Sequence, residues 1–323
     1  MKDYTNINKG VANTLNGNLG SALPPKKKSK NARVRNENIA GLIMGGIPVI
    51  GRILFTFIPM VMALAMAFFK MPRMNTFEGA DFVGFDNFAY VFKDPNFWKS
   101  VGNTGIYMLT LPIILVVSVL LASALNANVK GKGIFRVILM IPYICSTVAI
   151  VFVFKWLYNT NYGVLNSLLG TKVGWLTDSP GLFRLSLMMM MVWSGCGYRM
   201  LLLTASLTSV NVSYYEAAEL DGANAIHKFF HITVPAISPT LFFLLVTGCA
   251  GSLQVFAESQ VMASDGGQSV GYAGLTIVFY LYREGFVWNN MGVASAAALI
   301  LSMMIFILTI LNFKLSNKWV RYD

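Results

Sequence analysis

Charged side chains are scarce in this chain. They make up 12% of its 323 residues, where soluble domains carry about 25%. With 55% apolar residues, that scarcity argues against an ordinary water-soluble globule and points to the bilayer. Cysteine is rarer still: Cys145, Cys196 and Cys249 each lie in an apolar segment, without metal-type spacing. They are expected to pack as small hydrophobes, with neither a disulfide framework nor a zinc site. Only two histidines are present, His227 and His231, and both fall outside the apolar runs. An intramembrane enzyme would need a nucleophile with its base, or paired acids, inside a span, and no such set is visible. A phosphate loop of the form G-x-x-x-x-G-K-[ST] is also missing, so any ATP-driven step must be supplied by another chain. No internal repeat stands out, which argues against a carrier built from duplicated halves. An ion-coupled carrier would also want intramembrane acids, and Glu258 alone is thin support.

What the chain does have is long apolar runs. A span needs about 20 mostly apolar residues, and six stretches qualify: 42–69, 104–125, 134–158, 183–207, 237–257 and 293–313. The first carries Arg52 and Pro59, and a kink is expected at the proline. Residues 1–36 hold Lys26, Lys27, Lys28, Lys30, Arg33 and Arg35 among Asn and Gly. This composition cannot bury a core, so a largely disordered basic cytoplasmic tail is expected, without a cleaved leader and with nucleic-acid binding a poor second to anchoring. Residues 37–323 then form one membrane domain, with no length left for a soluble catalytic domain. If the tail lies inside, inner segments hold fifteen Lys and Arg against six outside. Both termini are therefore expected in the cytoplasm, in keeping with an even number of spans. The outer segments, such as "FVGFDNFAYVFKDPNFWKSVGNT" and "LYREGFVWNN", mix aromatic residues with Asn, Asp and Gly, as short interfacial helices and turns do.

Between the fourth and fifth spans stands a polar stretch, residues 208–236, containing "SYYEAAELDGANAIHKFFHITVPA". Ser213-Tyr214-Tyr215-Glu216 fits a capping box opening a short helix. Gly222 can end that helix in a left-handed conformation. A second short helix through "ANAIHKFF" follows, before Pro235 and Pro239. A rigid helix–turn–helix at the inner membrane surface makes a good docking knob. His227 and His231 are four apart, as two metal ligands would be, but they lack the glutamate of H-E-x-x-H and any Cys or acid cluster, so surface histidines are the better reading.

Glu216-Ala217-Ala218, three residues, Gly222, nine residues, then Ile232-Thr233-Val234-Pro235 resembles the EAA loop of binding-protein-dependent ABC importer permeases. Val234 stands where the family usually has Leu. The longer form typical of sugar importers, Y-E-A-A-x-x-D-G-A with a later F and I-x-x-P, is matched from Tyr215 to Pro235, including Asp221, Ala223 and Phe229. The C-terminus, "NFKLSNKWVRYD", is more similar to the MalF-like member of a maltose-type permease pair. One departure is "SDGGQ" (Ser264 to Gln268) where the family carries "TGGGP". The resemblance implies an all-α membrane protein: six transmembrane helices of the type I ABC importer permease fold, in a bacterial cytoplasmic membrane. It implies a second homologous permease, two ATPase subunits that bind ATP and Mg, and an extracytoplasmic sugar-binding protein, with no cofactor in this chain. By motif position, Glu216, Ala217, Ala218, Asp221, Gly222 and Ala223 would form the ATPase contact and its turn. Phe229, Ile232 and Pro235 would anchor its second half.

Five residues are candidates for the substrate path: Trp193, Tyr198 and Arg199 on the fourth span, Gln254 and Glu258 at the outer end of the fifth. Gln254 and Glu258 are four apart and would share a helix face. The alternative for them is an ordinary polar helix end. Arg199 falls well inside its span, where a charge costs about 2.5–3.5 kcal/mol on insertion scales. It either snorkels or pairs with the second permease, or it contacts substrate, an acidic sugar being one candidate. The methionines, Met188 to Met191 among them, are read as adaptable packing.

Overall fold

A computed structural model describes residues 30–71, 79–126, 130–263 and 268–321. The tail up to residue 29, and most of the Ser264–Gln268 turn, lie outside the described residues. Two units are distinguished, one ending at Met62 and one beginning at Ala63.

In the first, a helix runs Lys30–Arg52 and passes through a π turn, Ile53–Phe57, into the Ile58–Met66 helix. The helix thus begins inside the stretch expected to be tail. The expected kink at Pro59 takes the form of this π turn. Proline has no N–H to give and its ring crowds the carbonyl one turn back, so the backbone widens just ahead of it. Accordingly the Ile58 N–H reaches the Ile53 carbonyl, five residues away.

Near the start of the second unit, a two-stranded sheet departs from an all-helical expectation. Strand β1 (Phe69–Lys70) pairs antiparallel with β2 (Asp81–Phe82), in the register Phe69↔Phe82 and Lys70↔Asp81. Asn87 holds it, donating to the carbonyls of Ala67 (2.9 Å) and Phe69 (3.0 Å).

Four helices among the described residues are long and apolar enough to cross a membrane: Gly41–Met66, Pro95–Asn126, Pro180–Thr208 and Met291–Ser316. The other two expected spans are broken. Lys132–Ile144 and Thr147–Leu157 meet at 100°, and Ala225–Ala236 meets Ser238–Ser252 at 66°. Proline explains both positions. Pro142 removes a helix donor three residues before Cys145, which turns extended (φ −69°, ψ 153°). Pro235 and Pro239 flank Ile237, where the second bend sits. The fifth helix also stops at Ser252, short of the expected residue 257.

The Pro180–Thr208 helix packs along Thr110–Asn126 and Lys132–Ile144. Met200, Leu203 and Leu207 join Val119, Ala122 and Leu244 in one buried cluster. Bilayer helices gain little from hydrophobic exclusion and associate by close packing of small residues. Gly197 is such a place: a Cβ there would collide with the Leu139 carbonyl oxygen.

Short helices follow the fifth span: Ala257–Met262 packs on the Thr147–Leu157 helix and Ile277–Tyr282 on the Pro95–Met108 helix. Asn103 donates to the Tyr272 (2.6 Å) and Leu275 (2.9 Å) carbonyls and accepts from Arg184. Tyr107 donates to the Ala273 carbonyl (2.7 Å) and Tyr280 to Asp94 (2.9 Å). The bonds from Asn103 and Tyr107 satisfy loop carbonyls that would otherwise be buried unpaired. Glu284, fully buried here, accepts from Asn290 at 3.1 Å, and its burial pushes the carboxyl above the usual range.

Candidate coupling loop and membrane path

Asn211, and not Ser213, caps the first loop helix. Its Oδ1 accepts from the Ser213 N–H at 3.0 Å, and the helix runs Val212–Leu220. The expected capping box is displaced by two residues because Asn211 already holds the extended backbone a cap needs, leaving Ser213 inside the first turn. Asn211→Ala is therefore expected to destabilise this helix by about 1 kcal/mol, and Ser213→Ala by much less. Hydrogen exchange over residues 212–220 measures both.

Gly222 ends the helix as expected, at φ 77°. Its N–H bonds the Glu219 carbonyl (3.0 Å), and that of Ala223 bonds the Ala218 carbonyl (2.9 Å). Asn224 then caps the second helix, Ala225–Lys228, through the His227 N–H (2.8 Å). Two cross-links tie the halves: Tyr215 Oη lies 3.0 Å from Thr233 Oγ1, and Lys228 Nζ pairs with Glu219 at 2.7 Å. The Lys228 hydrogen bond holds the exposed Glu219 carboxyl below the usual range. Phe229 packs against the Met200–Leu203–Leu207 cluster, so the second half sits on the fourth span.

The outward face is formed by Glu216, Ala217, Asp221 and Gly222, all exposed, with Ala218, Ala223, Ile232 and Pro235 half-buried behind them. Leu220, 91% exposed, and Ile226, 70% exposed, project from the same loop. An open groove of about 430 Å³ runs between Asp221, Gly222, Asn224 and His231. Exposed apolar side chains rimmed by polar ones mark a surface made to be covered. His227 and His231 stack at 3.9 Å, and among the described residues no third His, Cys, Asp or Glu joins them.

The residues expected on the path divide into two groups. Tyr198 stacks on Tyr143 (4.7 Å, 14° between planes), and Arg199 bonds the Gly195 carbonyl at 2.9 Å. Trp193, half exposed, sits 5.4 Å from Phe154. Gln254 and Glu258 fare differently. The helix breaks between them: Ser238–Ser252 ends, the Ala257–Met262 helix starts afresh, and Thr276 caps the Val255 carbonyl in the gap. A shared face requires continuous helix, so their spacing of four carries no meaning here. Gln254 turns back to the Ala250 carbonyl (3.0 Å). Nothing local to "IPYIC" distinguishes Tyr143 in the sequence; the packing of Lys132–Ile144 along Pro180–Thr208 brings it to Tyr198.

A model of the family described as "Binding-protein-dependent transport system inner membrane component" matches residues 114–321. The chain belongs to this family. It is a multi-pass inner-membrane transport component and not itself an enzyme. Over 313 residues, 94% of this chain and 98% of the relative, it is 32% identical to a probable ABC transporter permease, YesP, of Bacillus subtilis. It is also 32% identical to the arabinooligosaccharide permease AraP of Halalkalibacterium halodurans, covering 85% and 87% of the two chains. In fold it is similar to a chain of a bacterial ABC transporter that imports the acidic polysaccharide alginate. There the TM-score is 0.77 and the identity 24%, covering 90% of this chain and all of the other.

Proposed function

We propose that this chain is the permease subunit of an ATP-driven importer that carries a sugar or oligosaccharide into the cytoplasm. The reading is supported most directly by the loop 208–236. It is a capped, glycine-turned and cross-linked knob whose outward face is exposed, as a docking element for a moving partner must be. Relatives named for carbohydrate transport include the AraP permease above and the lactose permease LacF of Rhizobium radiobacter, 30% identical over 240 residues.

In this reading the chain spans the membrane six times, the bent pair Lys132–Leu157 counting as one span and the helix from Ser238 onward, after the docking loop, as another, with both termini in the cytoplasm. Residues 1–36 form the basic tail and 37–323 the permease domain. A second homologous permease completes the path. An extracytoplasmic binding protein delivers the sugar, and two ATPase subunits bind ATP and Mg. Glu216, Ala217, Ala218, Asp221, Gly222 and Ala223 meet the ATPase, while Phe229, Ile232 and Pro235 transmit its movement to the fourth and fifth spans. Trp193, Tyr198 and Arg199 line the path.

Purification through an affinity tag on this chain, in mild detergent, tests the composition. A second permease and an ATPase are expected to co-purify; recovery of this chain alone, still active in transport, would refute the reading.

A further inference from the structure

Beyond the first turns of the Lys132–Ile144 helix, which carry Lys132 and Arg136, three cationic side chains sit within the apolar helices of spans three and four, and two of them have evident structural duties. Arg184 lies in the first turns of its helix and donates to Asn103 through two nitrogens (3.2 and 2.9 Å). Lys155 donates to the Val261 carbonyl at 3.1 Å near the end of the Thr147–Leu157 helix. Arg199 is different. It offers five N–H donors, and among the described residues the protein acceptor they meet is the Gly195 carbonyl, through Nη1. No carboxylate pairs with it there.

Its direction matters more than its position. An arginine that snorkels reaches for the nearer membrane surface. This one folds back along its own helix to Gly195, which stands roughly 20 Å from either end of Pro180–Thr208 at 1.5 Å per residue. The charge is thereby carried toward mid-membrane, away from the nearer Thr208 end. Room is made for it by the missing side chain at Gly195, where a Cβ would stand 3.1 Å from Nη1 and 3.1 Å from Ile114 Cδ1. Tyr143 and Tyr198, whose rings stack on each other, lie within electrostatic reach of it, and Tyr143 is half exposed. A guanidinium with free donors, set next to an exposed aromatic face at mid-membrane, combines the two elements that bind an acidic sugar. The fork takes a carboxylate and the ring takes the apolar face of a pyranose.

We propose that Arg199, with Tyr143 and Tyr198, is a carboxylate-recognising point on the path, and that the imported carbohydrate carries a uronate. This rests on the carbohydrate-import reading above. The competing occupant of Arg199 is an acid of the second permease.

The test uses the complete transporter, purified through this chain and reconstituted with its binding protein. Vesicles are offered a mixture of short uronic (galacturonate and guluronate) and neutral (arabinose and galactose) oligosaccharides, and the imported fraction is read by mass spectrometry. Uronate-containing oligomers are expected to enter with wild-type protein. Arg199→Gln is expected to lower their uptake about ten- to a hundredfold, the range for losing a charge-assisted pair, and to leave any neutral cargo unchanged. Arg199→Lys, which keeps the charge but loses the fork, should fall between them, and carries the test if the Gln variant fails to assemble. Equal loss of acidic and neutral cargo, or loss of assembly in both variants, would assign Arg199 to the second permease and overturn the proposal. Entry of neutral oligomers alone would overturn it and leave carbohydrate import standing. Entry of neither, with ATP still hydrolysed, would overturn both.

Discussion

Gly222→Pro is expected to abolish uptake while leaving the transporter in the membrane. Gly222 holds φ 77° in a turn where an added Cβ would meet nothing within 4 Å. The constraint is therefore one of backbone and not of space. Alanine there would cost about 1–2 kcal/mol for a left-handed residue, whereas proline, locked near −65°, cannot adopt the turn at all. It also removes the N–H that closes the turn on Glu219. With the turn lost, the Val212–Leu220 helix is no longer aimed by the half that Phe229 anchors. The spans, whose packing lies elsewhere, stay intact. Uptake by reconstituted vesicles should fall to background while the purified variant keeps its yield and its second permease. Wild-type uptake in Gly222→Pro would remove the loop from the coupling path.

The second large effect is expected at Gly197, for the opposite reason. Its backbone is ordinary helix, but the neighbouring chain comes so close that a side chain would strike the Leu139 carbonyl. A carbonyl in a helix cannot step aside as a side-chain tip can. The Lys132–Ile144 and Pro180–Thr208 helices must then separate. Overpacking of this kind costs about 1–3 kcal/mol for the smallest additions, so Gly197→Ala should lower the thermal midpoint in detergent and Gly197→Leu should prevent stable accumulation. Because the same contact positions Tyr143 beside Tyr198, the alanine variant should also weaken transport beyond what its stability loss explains. A Gly197→Leu protein of normal yield and midpoint would show that the two helices do not approach closely at this point.

Much of the loop was legible in the sequence, since its signals are local. A glycine three residues after a run of helix formers, and a motif with many fixed positions, need no tertiary information. The cap was misread by two residues because two side chains competed for it, and Asn211 had the better backbone. The broken spans were harder. Apolar length predicts a crossing, but Pro142, Pro235 and Pro239 say only where a bend is permitted, and neighbouring helices decide its size. The fifth helix ends at Ser252, and Thr276, far along the chain, donates to the Val255 carbonyl in the gap that follows. The break after Ser252 separates Gln254 from the helix that holds Glu258, and a spacing of four in the sequence does not show it.

The most direct measurement is sugar uptake by vesicles holding this chain, with and without its co-purifying subunits, binding protein and ATP. Accumulation only when all are present, and its loss when ATP is replaced by a non-hydrolysable analogue, is the expected result. Uptake by this chain alone, or uptake indifferent to ATP, would contradict its role as a partner-driven permease.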